Sequence, residues 1–204
     1  HFRSGRDVAP GARVHVGGAH VPFGTDVLLL ATPAVADDAA DTAAAADACL
    51  IGTEICEDGW VATTPAARYA AAGALVVGNL SGSPFSVGRG EARHRTCWKQ
   101  SAPNLLAYVY AAAGPGESSA DLAFDAHGMI YEAGTLLAES QRFAREAQLV
   151  VADVDIDGLR RARVRTGTFG DAATGFTPHA PARLIRDGAP NAPRFRHIPF
   201  STGP

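Results

Sequence analysis

Ile51-Gly-Thr-Glu-Ile-Cys-Glu-Asp-Gly-Trp60 carries an apolar approach to a cysteine that two carboxylates and a glycine follow at once. Ala48 to Ile55 has the short, mostly apolar make-up of a buried strand, and the Asp58-Gly59 pair breaks it. The thiol of Cys56 therefore projects from a tight bend, where a nucleophile is held rigid yet open to substrate. A thiolate attacks carbonyl carbon well, but Glu57 and Asp58 repel one, so a base or a positive charge must come from elsewhere in the fold. The competing reading makes Cys56 a small buried hydrophobe. The decapeptide alone does not separate the two.

The chain has 204 residues, 47% of them hydrophobic, which is enough for one sizeable core, and a formal net charge of −3. Neither figure suggests a nucleic-acid or membrane-surface protein. Cys49, Cys56 and Cys97 make no Cys-x-x-Cys pair and leave an odd thiol, which fits a reducing compartment, so a cytoplasmic protein is expected. Apolar runs such as Val27 to Ala31 and Leu105 to Ala113 fall short of a membrane span, and the chain opens at His1 without a signal-peptide pattern.

Around the nucleophile strand the sequence alternates strands and helices. Arg13 to Ala31, with Gly17-Gly18 in its middle, predicts a hairpin at a sheet edge. Thr32 to Ala48 is almost all Ala and Asp and reads as an exposed helical insertion. Thr63-Thr-Pro-Ala opens a short helix that Gly73 closes, and Ala74 to Leu80 is a central strand. The loop Ser81-Gly-Ser-Pro-Phe-Ser-Val-Gly-Arg-Gly90 lets backbone approach a ligand, and Arg89 offers a fork of donors matched to a carboxylate. Because one short helix joins the two strands, both loops should face one crevice at the strands' carboxyl ends. Further on, Glu91 to Ser101 reads as a helix and Leu105 to Ala113 as a strand. Asp121 to Phe124, Gly128 to Tyr131, Thr135 to Ala138 and Ala147 to Val154 read as short strands. Asp157 to Arg165 is a solvated or subunit-facing helix rich in arginine, and residues 176–204, with recurring prolines, form a linker.

Taken together, Glu54-Ile-Cys-Glu-Asp, Asn79-Leu-Ser-Gly-Ser-Pro, Ala107-Tyr-Val-Tyr-Ala-Ala-Ala-Gly, Gly116-Glu-Ser, Met129-Ile-Tyr-Glu and Leu137-Ala-Glu-Ser-Gln-Arg-Phe resemble the glutamine amidotransferase domain of glutamine-dependent NAD+ synthetases, within the nitrilase or carbon-nitrogen hydrolase superfamily. The resemblance implies an α/β protein with an α-β-β-α sandwich. It implies a Glu-Lys-Cys triad in which glutamate is the base, lysine stabilises the tetrahedral intermediate and cysteine attacks the glutamine amide. By that resemblance Cys56 is the nucleophile, Glu57 and Trp60 line the glutamine site, and Ser83 and Arg89 hold the amino-acid end of L-glutamine.

The family's glutamate and lysine lie upstream of a segment that His1 to Arg6 resembles, and Lys99, the sole lysine, sits where the family commonly carries arginine. The resemblance therefore implies residues 1–175 as a glutaminase domain incomplete at its N-terminus, and 176–204 as a linker to a synthetase domain beyond Pro204. No cofactor or metal is expected in the glutaminase part, ATP and Mg2+ belonging to the synthetase, and a homo-oligomer is expected. A stand-alone amidase of the same superfamily and a non-catalytic scaffold are the alternatives.

Overall fold

The computed structural model describes residues 5–9, 11–25, 27–32, 49–117, 120–173 and 194–199. The chain divides into two compact units, 1–51 with 174–204, and Gly52–Ala173. In the first, β1 (Arg13–Val16) and β2 (Ala19–Pro22) form a two-stranded antiparallel sheet of their own, not the edge of a larger one. β3 (Val27–Thr32) pairs antiparallel with β9 (Arg194–Pro199), Val27 opposite Pro199. Those six residues fall inside the stretch read as linker and correct that reading. Their alternation, Arg-Phe-Arg-His-Ile-Pro, is short enough to hide among prolines. The expected insertion lies outside the described residues from 33 onward, as does the proposed linker over 176–193.

The second unit carries the candidate site. Its strands run in the order β8 (Thr135–Glu139), β7 (Gly128–Glu132), β6 (Ala107–Ala112), β5 (Val76–Ser81), β4 (Cys49–Ile55, entering this unit at Gly52). β5 and β6 are parallel, with Val77 opposite Tyr108 and Asn79 opposite Tyr110, while β6, β7 and β8 are antiparallel. With side chains alternating across the pleat, Glu54, Val77, Asn79, Ser81, Tyr108, Tyr110, Met129 and Tyr131 are buried. On β4 and β5 the neighbouring positions Ile55 and Leu80 are exposed.

α1 (Pro65–Ala71) begins where its sequence says it must: Thr64 caps it by accepting from Ala67 N at 3.2 Å, and Pro65 fills the first turn. Gly52 lets this helix approach the sheet, because a Cβ there would stand 2.6 Å from the Tyr69 ring. α2 (Arg89–Ser101) packs on β6 and β7, and it starts at Arg89 itself, two residues before the sequence reading placed it. Its inner face holds Arg93, Thr96, Cys97, Gln100 and Ser101, all buried.

α3 (Ile156–Arg165) is capped by Asp155, and α4 (Gly167–Ala173), which the sequence reading missed, follows it. Most of the arginines of α3 face outward, but Arg163 turns in. Its guanidinium donates to Ala74 O at 2.6 Å, Asn104 O at 3.0 Å, Leu105 O at 3.1 Å and Ala70 O at 3.4 Å. One side chain thus satisfies the carbonyls where α1 ends and where β5 and β6 begin.

Two predicted strands are absent. Among the described residues Asp121–Phe124 contributes a single backbone bond, Phe85 N to Ala123 O at 2.6 Å, and Ala147–Val154 forms no ladder. There the Gln148 side chain does a strand's work, pairing with the backbone of Gln141 through bonds of 2.9 and 2.8 Å, and Leu149 and Val151 stay exposed. Among the described residues no helix is long and apolar enough to cross a membrane.

The loop after β5 is fixed by a buried ion pair. Arg93 Nη1 lies 2.6 and 2.8 Å from the two carboxylate oxygens of Asp125, both side chains being fully buried, and Arg142 adds a bond of 3.0 Å from one side. Nη2 of Arg93 donates onward to Ser83 O at 2.8 Å and Pro84 O at 3.2 Å. Removing one member of such a pair strands the other charge out of water, which costs about 3–5 kcal/mol. Asp125→Ala is accordingly expected to lower unfolding stability by that order in urea titrations, and a loss under about 1 kcal/mol would contradict the role given to the pair.

Candidate active site

At the end of β4 the backbone turns through a single 3-10 helix, Cys56–Trp60. Cys56 stands at its first position with φ +50°, a left-handed conformation that an L-residue adopts only under strain. The expectation of a thiol carried on a tight bend at a strand end matches this geometry, and the side chain is half-buried.

Bonds on every side hold the turn. Ile55 N donates to Asp58 Oδ2 at 2.9 Å, Asn79 Nδ2 to Cys56 O at 3.2 Å, and Gln100 Nε2 to Gly59 O at 2.9 Å. Gln100 is itself oriented by the Thr64 hydroxyl at 2.8 Å. Beneath the turn lies the buried carboxyl of Glu54. One oxygen accepts from Ala66 N at 2.9 Å, and the other from Asn79 Nδ2 at 3.0 Å and from the Tyr108 hydroxyl. Gly59 crosses directly above: a Cβ there would lie 2.8 Å from the Tyr108 oxygen, 2.9 Å from Asn79 Nδ2 and 3.1 Å from Glu54 Oε1. Only glycine permits that approach. Burial raises the Glu54 carboxyl above its ordinary range, against the opposing pull of its three donors, and burial together with the Glu54 charge raises the Tyr108 hydroxyl.

The other sequence candidates fall as follows. Glu57 is exposed on the turn, and Trp60, at its end, is half-buried. The Arg89 guanidinium carbon stands 5.4 Å from the Trp60 ring centroid, so the first residue of α2 reaches the cysteine turn. Arg89 Nε is buried and has no hydrogen-bond partner among the described residues. Ser83 is buried, and the bond that fixes it runs from Arg93 to its carbonyl. Lys99 is exposed on α2. Burial pushes the Cys97 thiol up to about 12, which makes it inert at neutral pH.

Sequence reasoning missed the partners of Glu54. The available signals were a carboxylate inside an apolar strand, an asparagine closing the next and a tyrosine inside the third. Polar groups in such places need one another.

A mixed α/β unit thus presents a cysteine on a strained turn at a strand's end, with Arg89 over the ring of Trp60 at the end of the same turn. Residues 19–164 match the carbon-nitrogen hydrolase family, and the chain belongs to it. Over 174 residues it is 46% identical to the glutamine-dependent NAD(+) synthetases of Mycobacterium bovis and Mycobacterium leprae, covering 83% of this chain and 24% of those proteins. The chain thus spans about a quarter of their length. A solved carbon-nitrogen hydrolase from Helicobacter pylori G27 superposes with a TM-score of 0.51 at 17% identity, over 58% of this chain and 44% of that one, a likeness of fold. The nitrilase-like fold class expected from the sequence is thereby shown.

The Glu54 carboxyl gives a pH test. Its folded pKa is raised above the ordinary 4.5, so its contribution to stability is complete below pH 4.5, where folded and unfolded chains both hold the proton. That contribution is lost as pH rises through the folded value. In urea titrations at successive pH values, the stability of the wild type relative to Glu54→Gln should therefore fall between pH 4.5 and neutrality. A difference that is flat or grows with pH would contradict it.

Proposed function

We propose that this chain supplies the nucleophile and the amino-acid pocket of the glutaminase domain of a glutamine-dependent NAD+ synthetase. The observation that carries the reading is the Cys56 turn with Arg89 beside it, in a chain 46% identical to enzymes of that name. Cys56 adds to the carboxamide carbon of L-glutamine, the tetrahedral intermediate expels ammonia, and water cleaves the thioester to release glutamate. A glutamate base and a lysine that stabilises the oxyanion come from residues beyond these 204. Arg89 pairs its guanidinium edge with the α-carboxylate while Trp60 covers its face, and Glu57 and Ser83 complete the pocket around the amino-acid end. The ammonia is consumed by ATP- and Mg2+-dependent amidation of deamido-NAD+ in a synthetase region, within a cytoplasmic homo-oligomer. The glutaminase part itself uses no cofactor.

In the intact enzyme, an electrophilic glutamine analogue is expected to label Cys56, read by peptide mass spectrometry, and to spare buried Cys97. Label on Cys49 or Cys97 with Cys56 untouched would sink the assignment. Arg89→Lys replaces a planar fork by a point charge, so it should raise the KM for glutamine by about tenfold or more while ammonia-driven NAD+ synthesis is retained. Equal loss of both activities would count against the pocket.

The 204 residues assayed alone should hydrolyse glutamine at most feebly, because members of a catalytic triad act as a unit and loss of one oxyanion donor costs about a hundredfold or more. Robust hydrolysis by a monodisperse preparation would refute this, and would send the search for a base to Glu57 and Glu117.

A further inference from the structure

On the side of α2 that faces β7 and β8, three side chains unconnected with the cysteine turn converge. His94 of α2, His127 just before β7 and Glu139 at the end of β8 each bring one ligand-type atom to a common point, all within 4.8 Å of one another. Glu139 Oε1 receives both imidazoles, His127 Nε2 at 2.7 Å and His94 Nε2 at 3.2 Å. The rings meet edge to face with centroids 5.4 Å apart.

We propose that His94, His127 and Glu139 form a binding site for a divalent ion of the zinc type. Two neutral imidazole nitrogens and one carboxylate oxygen, drawn from three elements, are the donor set that a borderline-soft ion prefers over Mg2+ or Ca2+, which take oxygen. Tetrahedral ligands at the usual zinc bond lengths stand roughly 3.3 Å apart, close to the spacings that Glu139 already keeps with each ring. The site is anchored and yet open: the His127 side chain is fully buried, while His94 and Glu139 are 28% and 34% exposed. A hydrated ion can enter from that side and keep a water as its fourth ligand.

The outer bonds also fit. His94 Nδ1 lies 2.7 Å from the Tyr131 hydroxyl, so the ring can donate there while Nε2 turns its lone pair to the ion. Without an ion the Glu139 carboxylate holds the His127 proton on Nε2, and ligation would move it to Nδ1, which is buried without a hydrogen-bond partner among the described residues and so has no other bond to give up. Occupied, the site ties the front half of α2, five residues beyond Arg89, to the β7–β8 hairpin.

The test is metal retention by the full chain. After equilibration with Zn2+ and exhaustive dialysis, the wild type should keep about one equivalent. Loaded instead with Co2+, it should show the visible d–d absorption of a four-coordinate ion without a thiolate charge-transfer band. Glu139→Gln, and separately the half-exposed His94→Gln, should lose both signals with circular dichroism unchanged, whereas Cys56→Ser should keep them. No retained metal would overturn the proposal, as would retention by both Glu139→Gln and His94→Gln, or loss in Cys56→Ser.

Discussion

A carboxyl group taken out of water must be met by donors, and Glu54 meets three, each from a different element. Ala66 N belongs to α1, Asn79 to β5 and Tyr108 to β6, and all three converge on one side chain of β4. Leaving such a group unmatched would cost on the order of several kcal/mol, so the register of three strands and the seat of a helix are tied to one buried group. A one-residue slip in β5 or β6 would turn Asn79 or Tyr108 to the other face and leave the carboxyl bare. The turn that carries Cys56 inherits this constraint, since a Cβ at Gly59 would collide with Glu54, Asn79 and Tyr108.

α2 plays the corresponding part on the other side. Its inner face is polar, with Arg93, Thr96, Gln100 and Ser101 buried around Cys97, and Arg93, Gln100 and Ser101 each have a task of their own. Arg93 takes the Asp125 carboxylate and the Ser83 and Pro84 carbonyls, Gln100 the Gly59 carbonyl, and Ser101 Oγ the helix's own Cys97 carbonyl. A helix packed in this way is positioned by bond geometry more than by hydrophobic area. That suits an element whose first residue, Arg89, must reach Trp60.

This division explains what could be read from the sequence. The Cys56 bend, the Thr64 and Asp155 caps and the strands β4 to β8 follow from local signals: apolar runs, Asp-Gly breaks, cap residues at fixed offsets. The polar inner face of α2 gives no such signal, because Arg, His and Lys at helical spacing look the same whether they face water or a buried carboxylate. Arg163 escaped for the same reason, being one of several arginines on α3 and the one that turns inward. Ala147–Val154 misled in the other direction. Its alternation belongs to an extended segment, but Gln148 takes the bonds that a ladder would have supplied, and no sequence period reports where a backbone partner lies.

Magnitudes decide whether the cysteine turn can hold its strained geometry. A non-glycine residue in the left-handed region costs about 1–2 kcal/mol. A hydrogen bond contributes about 1 kcal/mol net, rising to about 1.5–3 where one partner is charged. One tether from Asn79 to Cys56 O would therefore barely balance the strain at φ +50°. Adding the Asp58 carboxylate on Ile55 N and Gln100 on Gly59 O shifts the balance clearly toward the strained form. The conformation then persists without help from a bound ligand, and the backbone that carries the Cys56 thiol is held in one geometry. Preorganisation of this kind would spare the reaction proposed for Cys56 the cost of ordering its nucleophile, and its support is built from directional bonds and a glycine contact and not from apolar packing alone.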